Sequence, residues 1–307
     1  MKSQTKARPA SRGGRRLFAR RSSAGESEER ANGGRSGRAS GLAFAFLSPG
    51  LAYLIVLLLV PLALVLSFTV FQRGRFGGIV YEFTTENFVR LIDPLYLSVV
   101  LNSLKIAGIT TLIALLIGYP TAYFIAQLPR TWKTIALVAI VLPFWTNFII
   151  RVYAWIMLLS GPGIVNSVLG TELELLYKDG AVVTGLLYSY LPLMVLPLYA
   201  TIEKLDPQLR EASANLGASA FTTFRKVTLP LTVPGVLTGC MFVFVPSFGN
   251  FVIPEMLGGG KSIMVGNLIR TEFLKARDWP FGSTLALALI AVLIVLLMIQ
   301  SWAARRA

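Results

Sequence analysis

The chain has 307 residues, 54% of them hydrophobic and only 14% charged, with 29 Lys and Arg against 15 Asp and Glu for a formal net charge of +14. A mean hydropathy of +0.66, with the charges gathered between apolar runs, excludes a soluble globular protein, and lipid cannot satisfy the edges of an open sheet. Histidine is absent and Cys240 is the only cysteine, which removes His-based acid–base catalysis, His-ligated metal sites, Ser–His triads and an internal disulfide.

Residues 1–41 form a distinct opening segment. The first forty hold eleven Lys and Arg against Glu26, Glu28 and Glu29, with almost no large apolar side chain to bury, so a disordered tail is expected. Beside an apolar run, such a tail holds the N-terminus in the cytoplasm and touches anionic membrane lipid rather than nucleic acid. The run that follows, 42–71, exceeds a signal-peptide core and is read as a retained first span.

A membrane span takes about 20 mostly apolar residues. Six segments qualify, near 42–71, 97–126, 135–159, 182–202, 235–257 and 283–303. They predict an all-α integral membrane protein with six transmembrane helices: a periplasmic loop over 72–96, a five-helix core over 97–303, a cytoplasmic break at 203–233 and a short cytoplasmic tail at 304–307. Both termini are then cytoplasmic. This orientation rests on the tail, because without it basic residues number eight on each side.

Ionisable residues inside the apolar runs are few, and each is a functional candidate because its desolvation is costly. Lys105 lies near the start of the second run, from which its long stem can snorkel. On the third, Phe144, Asn147, Phe148, Arg151 and Trp155 recur at helical spacing and predict one polar-aromatic face. Trp145 and Tyr153 add aromatic bulk there, Tyr188 and Tyr190 on the fourth, Phe248 and Phe251 on the fifth. Glu255 follows Pro254, where the fifth span is expected to end or kink. Two readings stand for Glu255: an ion pair with Arg151, or contact with a cationic substrate.

Gly258-Gly259-Gly260-Lys261-Ser262 resembles the tail of a phosphate-binding loop, but Glu255 occupies the position of its first glycine and no buried parallel strand precedes it. ATP hydrolysis by this chain is not expected. Cys240, inside an apolar run, reads as a small packing residue.

The break at Glu203–Pro230 carries the densest signal. Asp206-Pro207 is a helix start. Leu205, Leu209, Ala212 and Leu216 follow at i, i+4, i+7 and i+11 as one apolar stripe. Gly217 closes the helix, and Ser219 can cap a second one bearing Phe221 and Phe224. A rigid amphipathic elbow between two spans reads as a docking handle.

Glu211-Ala212-Ser213, three residues, Gly217, nine residues and Val227-Thr228-Leu229-Pro230 resemble the EAA loop of ABC-importer permeases, with Ser213 and Val227 as mild departures. Leu142-Pro143-Phe144-Trp145-Thr146-Asn147, Arg151-Val152-Tyr153-Ala154-Trp155, Phe251-Val252-Ile253-Pro254-Glu255, Leu257-Gly258-Gly259 and Arg277-Asp278-Trp279-Pro280 are similar to the spermidine/putrescine permeases. Where that family often carries an acid shortly before the Phe-Val-Ile-Pro run, this chain has Asn250, which changes how a cation is held.

The resemblance implies a type I ABC importer permease in the bacterial inner membrane, with a second homologous permease, an ABC ATPase dimer, and a periplasmic or lipid-anchored substrate-binding protein as partners. It implies no cofactor on this chain, ATP and Mg residing on the ATPase. Leu209, Glu211, Ala212, Leu216, Gly217, Leu229 and Pro230 would couple to the ATPase. Trp145, Asn147, Arg151, Tyr153, Asn250, Phe251 and Glu255 would line the substrate path. Other readings are an importer permease for another small solute (an organic cation, an opine-like amino acid or a ferric chelate), an ion-coupled secondary transporter, or a membrane docking factor without transport.

Overall fold

A computed structural model describes residues 48–170 and 173–304. The basic segment 1–41, and Arg305 and Arg306 of the C-terminal tail, lie outside the described residues. The chain divides into two units, up to Leu64 and from Val65 onward. Helix α1, Ser48–Phe68, begins in the first unit and ends in the second; on it Leu54, Val56, Leu58 and Val60 are exposed. Such a surface is stable facing lipid and would not be in water.

In the second unit, five more segments are long and apolar enough to cross a membrane: Pro94–Gln127, Phe148–Val168, Asp179–Glu203, Ala220–Phe248 and Trp279–Ala303. A hairpin of β1 (Phe71–Arg73) and β2 (Ile79–Phe83) follows α1, then the short α2 (Glu86–Leu91). Helix α3 (Pro94–Gln127) starts on Asp93, whose carboxylate accepts from Leu95 N–H at 2.9 Å, with Pro94 in the first turn. Its 34 residues make about 51 Å of helix, more than the hydrocarbon thickness. It stops where Leu128, ahead of Pro129, is forced extended.

The run 135–159 is not one helix, contrary to the sequence expectation. Helix α4 (Arg130–Val141) passes into a 3-10 turn over Leu142–Trp145, Thr146 is extended, and α5 (Phe148–Leu159) begins afresh on Asn147. Pro143 cannot continue the hydrogen-bond ladder, and the Asn147 side chain accepts from Ile149 N–H at 2.9 Å to start the next helix. Phe144 and Asn147 therefore do not share a helical face with Arg151. A short α6 (Ile164–Leu169) precedes α7 (Asp179–Glu203), which contains Pro192 and Pro197.

After the elbow helices α8 (Pro207–Asn215) and α9 (Ala220–Thr223), a π turn over Phe224–Thr228 leads directly into α10 (Leu229–Phe248). The fifth apolar segment thus starts near Ala220 rather than 235. It breaks at Gly249–Phe251, before Pro254, which sits in the first turn of α11 (Val252–Gly258) where its missing N–H leaves nothing unpaired. Helix α12 (Val265–Thr271), a π turn at Glu272–Ala276 and α13 (Trp279–Ala304) complete the order. The glycines after α11 form a helix end, Gly259 being left-handed with φ +54°.

Helices α3, α7 and α10 pack on one another to form the centre. Toward the elbow, Ala114, Ala122, Met194, Leu198 and Val243 are completely buried; toward the hairpin, Ile106, Val182, Leu186, Ile253 and Leu257 are. Small residues permit the close approach: a Cβ at Gly118 would stand 2.7 Å from Met194 Cγ. Thr110 and Thr111 satisfy their buried hydroxyls within the helix, donating to the Ile106 and Ala107 carbonyls at 2.8 and 2.7 Å, whereas the Ser247 and Ser283 hydroxyls are buried without a partner among the described residues. One hydroxyl pair crosses between helices, Tyr119 meeting Thr232 at 2.8 Å.

Candidate functional site

Two regions concentrate the candidate residues. The first is the elbow. Asp206 accepts from Gln208 N–H at 2.9 Å with Pro207 as the first helical residue. At the other end Gly217 N–H donates to the Ala214 carbonyl at 2.9 Å and Ala218 N–H to Ser213 at 3.1 Å, the paired bonds of a Schellman cap. That cap needs the left-handed φ of +80° found at Gly217. Ser219 Oγ accepts from Thr222 N–H at 3.3 Å to start α9, and Ser213 and Thr223 hydroxyls meet at 2.9 Å to tie the two short helices together.

The elbow's apolar stripe is not spent on the chain's own core. Leu209, Ala212 and Leu216 are exposed, Leu216 at 88% and Phe221 at 70%, while Leu205 is half-buried. Glu211 is exposed beside them. Phe224, expected alongside Phe221, turns inward in the π turn and packs edge-on against Tyr119 and Tyr123. Leu229 and Pro230 open α10; the π turn gives Leu229 N–H the Phe224 carbonyl, absorbing the register change ahead of a proline. Lys133 on α4 grips both oxygens of Glu203 at 2.8 Å, fixing the α7 end from which the elbow departs. Sequence spacing gives no hint of that pair, 70 residues apart.

The second region is a cavity of about 500 Å³ lined by residues including Phe144, Phe148, Arg151, Tyr190, Asn250 and Phe251. Asn250, nearly buried, uses both ends of its amide: Nδ2 donates to Tyr190 Oη at 2.7 Å and Oδ1 accepts from Ile253 N–H at 2.9 Å, which starts α11. Arg151 lies 5.7 Å from the ring centres of both Phe144 and Phe148. Its Nε is buried without a hydrogen-bond partner, and it makes no ion pair among the described residues.

Of the seven residues expected on a substrate path, the cavity gathers three: Arg151, Asn250 and Phe251. Asn147 caps α5 instead. Trp145 is 81% exposed against Leu137, Val138 and Val141, and Tyr153 also points outward. Glu255 does not pair with Arg151, although α11 packs against α5 as well as α12; its partner is Arg270 of α12. Arg270 also lies 5.8 Å from the Phe251 ring centre. Lys105 pairs with Asp179 at 3.0 Å. Ser189, buried in the cavity wall, was invisible in the sequence, since a lone serine in an apolar run carries no spacing signal. Among the described residues no group of His, Cys, Asp and Glu could hold a metal ion.

Several comparisons bear on this arrangement. The fold is similar to a bacterial ABC transporter involved in the import of the acidic polysaccharide alginate, with a TM-score of 0.73 at 16% identity over 86% of this chain and 95% of that one. It is similar, with a TM-score of 0.55, to the MetNI methionine ABC transporter, at 18% identity over 73% of this chain and 99% of that one. In sequence it is 41% identical over 254 residues to the spermidine/putrescine transport system permease protein PotB of Haemophilus influenzae, covering 81% of this chain and 89% of that protein. The corresponding protein of Escherichia coli is 39% identical over 260 residues, 83% of this chain and 94% of its own length. The family of binding-protein-dependent transport system inner membrane components matches residues 49–306. Fold, spans and sequence agree: the chain belongs to the family of binding-protein-dependent transport system inner membrane components, permease subunits with the type I ABC importer fold.

Proposed function

We propose that this chain is the permease subunit of an ATP-driven importer that moves polyamines, spermidine or putrescine, across the bacterial inner membrane. The observation that carries the reading is the 39–41% identity to spermidine/putrescine permeases over more than four-fifths of the chain. The chain is a transport subunit rather than an enzyme. It works with a second homologous permease, an ATPase dimer that supplies ATP and Mg, and a substrate-binding protein on the outer face. Both termini and the elbow lie in the cytoplasm.

The elbow is the coupling element. Leu209, Ala212 and Leu216 present an apolar stripe that nothing among the described residues covers, Glu211 gives it a charged flank, and Gly217 fixes its end. Seated on an ATPase, the α8–α9 unit moves with nucleotide-driven closure. Because Lys133–Glu203 and the α9–α10 continuity tie it to α4, α7 and α10, that movement becomes a rocking of the spans between two discrete packings. Leu229 and Pro230 stand where the elbow joins α10.

The cavity bounded by α5, α7 and α10 is the substrate path. Phe144, Phe148 and Phe251 line it with aromatic rings that an alkylammonium shares with the Arg151 and Arg270 guanidiniums, so each contributes less than the roughly 0.5–2 kcal/mol of a free ring face. Asn250 and Tyr190 offer oxygen acceptors in place of a carboxylate. Neutral acceptors hold a cation loosely enough to release it, which suits a path more than a high-affinity receptor.

Uptake of radiolabelled spermidine and putrescine by cells lacking their own polyamine permease, and supplied with this chain and its partner subunits, tests the reading. Uptake of either polyamine, abolished by removing this chain alone, supports it. Absence of polyamine uptake together with uptake of another solute dismisses the substrate class.

A further inference from the structure

Arg151 is a cation placed where cations are costly. Its Nε is buried without a partner, and two phenylalanine rings flank the guanidinium. Among the described residues no carboxylate lines the cavity, and the acids nearest the membrane-embedded part of the fold are committed elsewhere: Glu255 to Arg270, Asp179 to Lys105 and Ser262, Glu203 to Lys133, Asp278 to Arg90. A partly desolvated guanidinium with an unpaired buried nitrogen is stabilised when an anion meets it. A polyamine cannot be that anion, because it brings further positive charge into the same space.

Arg151 borders a helix face that nothing among the described residues covers. Ile149, Ile150, Tyr153 and Met157, on the same helix, are 52–72% exposed. They form an apolar flank beside one partly buried guanidinium, the arrangement in which a few anchors dominate association. We propose that Arg151 receives a carboxylate from the second permease subunit, and that this ion pair between the two permeases closes the α5 side of the cavity. The inference rests on the pairing of two permeases stated above, and not on the identity of the solute. It also accounts for a cation-transporting cavity that carries an arginine: the partner's acid neutralises it, and the paired charges leave the aromatic and amide groups as the surface the substrate meets.

The test is co-purification of the second permease and ATPase with this chain carrying Arg151→Gln, Arg151→Lys or Arg151→Glu, followed by selection in the Arg151→Glu strain for restored uptake. Arg151→Lys keeps the complex. Arg151→Gln and Arg151→Glu lower recovery of the second permease, Glu by at least about tenfold, while the chain itself remains inserted. Restored uptake arises from replacement of an acidic residue of the second permease by Lys or Arg. Should Arg151→Glu disturb folding, Arg151→Gln, which keeps a polar head without the charge, carries the comparison.

Wild-type recovery with both Gln and Glu, or suppressors confined to this chain, overturns the proposal. So does a gain in thermal stability of the wild-type chain, absent in Arg151→Gln, on adding inorganic phosphate or citrate, which assigns Arg151 to a small anion. Failure of the wild-type chain to recover any second permease would instead remove the pairing of two permeases, and this inference with it. Intact pairing with uptake of a different solute would leave the inference standing while the polyamine reading falls.

Discussion

The Asp278 carboxylate, completely buried ahead of α13, accepts from the Arg90 guanidinium of α2 at 2.9 Å. The same carboxylate accepts from Phe281 N–H at 3.1 Å, so it caps α13 and clasps α2 to it with one group. Arg90 stacks 3.9 Å above the Phe281 ring, and Arg73 of β1 reaches the Ala276 carbonyl at 2.7 Å. The hairpin, α2 and the start of α13 are therefore one polar unit.

Replacing Asp278 with Ala removes the cap and leaves Arg90 without its acid. The expected loss of stability is on the order of 2 kcal/mol, moderated because Arg90 is one-third exposed. Thermal melting of the purified chain and protease cleavage within residues 71–92 measure it, and unchanged melting with an uncut hairpin would contradict the clasp.

Glu272 stands beside this unit, and burial holds its carboxyl above the usual carboxylate range, with the negative charge of Asp278 acting the same way and Arg90 and Arg73 opposing. A raised folded value means the native state prefers the proton. The stabilisation is fully present below the unfolded-state value and is lost as pH rises through the folded one. Glu272→Gln should therefore melt higher than the native chain near neutral pH, with the difference shrinking toward about pH 4. Melting curves across that range decide it, and a lower melting temperature for Glu272→Gln at neutral pH would sink the argument.

At Gly217 no atom lies within 4 Å of the place a Cβ would take, so a side chain there meets no clash and suffers only the left-handed backbone. Gly217→Val should cost the elbow about 1–2 kcal/mol while the spans remain inserted. Glu211→Lys reverses an exposed charge on the same element at no folding cost. Both should weaken ATPase recovery on affinity purification, by about tenfold for the glycine variant. Full ATPase binding and normal uptake in both variants would remove the elbow from coupling.

The Glu255–Arg270 pair joins α11 to α12 with both side chains more than one-third exposed. Neutralising either residue should move stability by less than about 1 kcal/mol. If the pair sets the position of Phe251, uptake should fall with either single reversal and return in the double variant Glu255→Arg with Arg270→Glu. Melting and uptake on the four combinations measure this, and a double variant no better than the singles would contradict it.

Local signals carried through to the fold. Asp206-Pro207, Gly217 and Ser219 start and stop the elbow helices where their side-chain and backbone preferences place them, because capping is decided within a few residues. The number of apolar spans was likewise legible by length, although the third and fifth have other bounds than the sequence suggested. What stayed hidden depends on distant contact. Nothing near Glu255 in the sequence distinguishes Arg270 from Arg151, and α11 packs against the helices of both. Pro143 lay within the third run, yet its effect depended on Asn147 restarting the ladder. Lys133–Glu203 and Arg90–Asp278 join residues 70 and 188 positions apart, and only packing brings them together.

The most direct test is ATP hydrolysis by the reconstituted complex of this chain, a second permease and the ATPase, with binding protein added empty or loaded with spermidine or putrescine. The loaded receptor should stimulate hydrolysis above the empty one, and Glu211→Lys should abolish that stimulation. Hydrolysis indifferent to a polyamine-loaded receptor, with the assembled complex intact, would contradict the account.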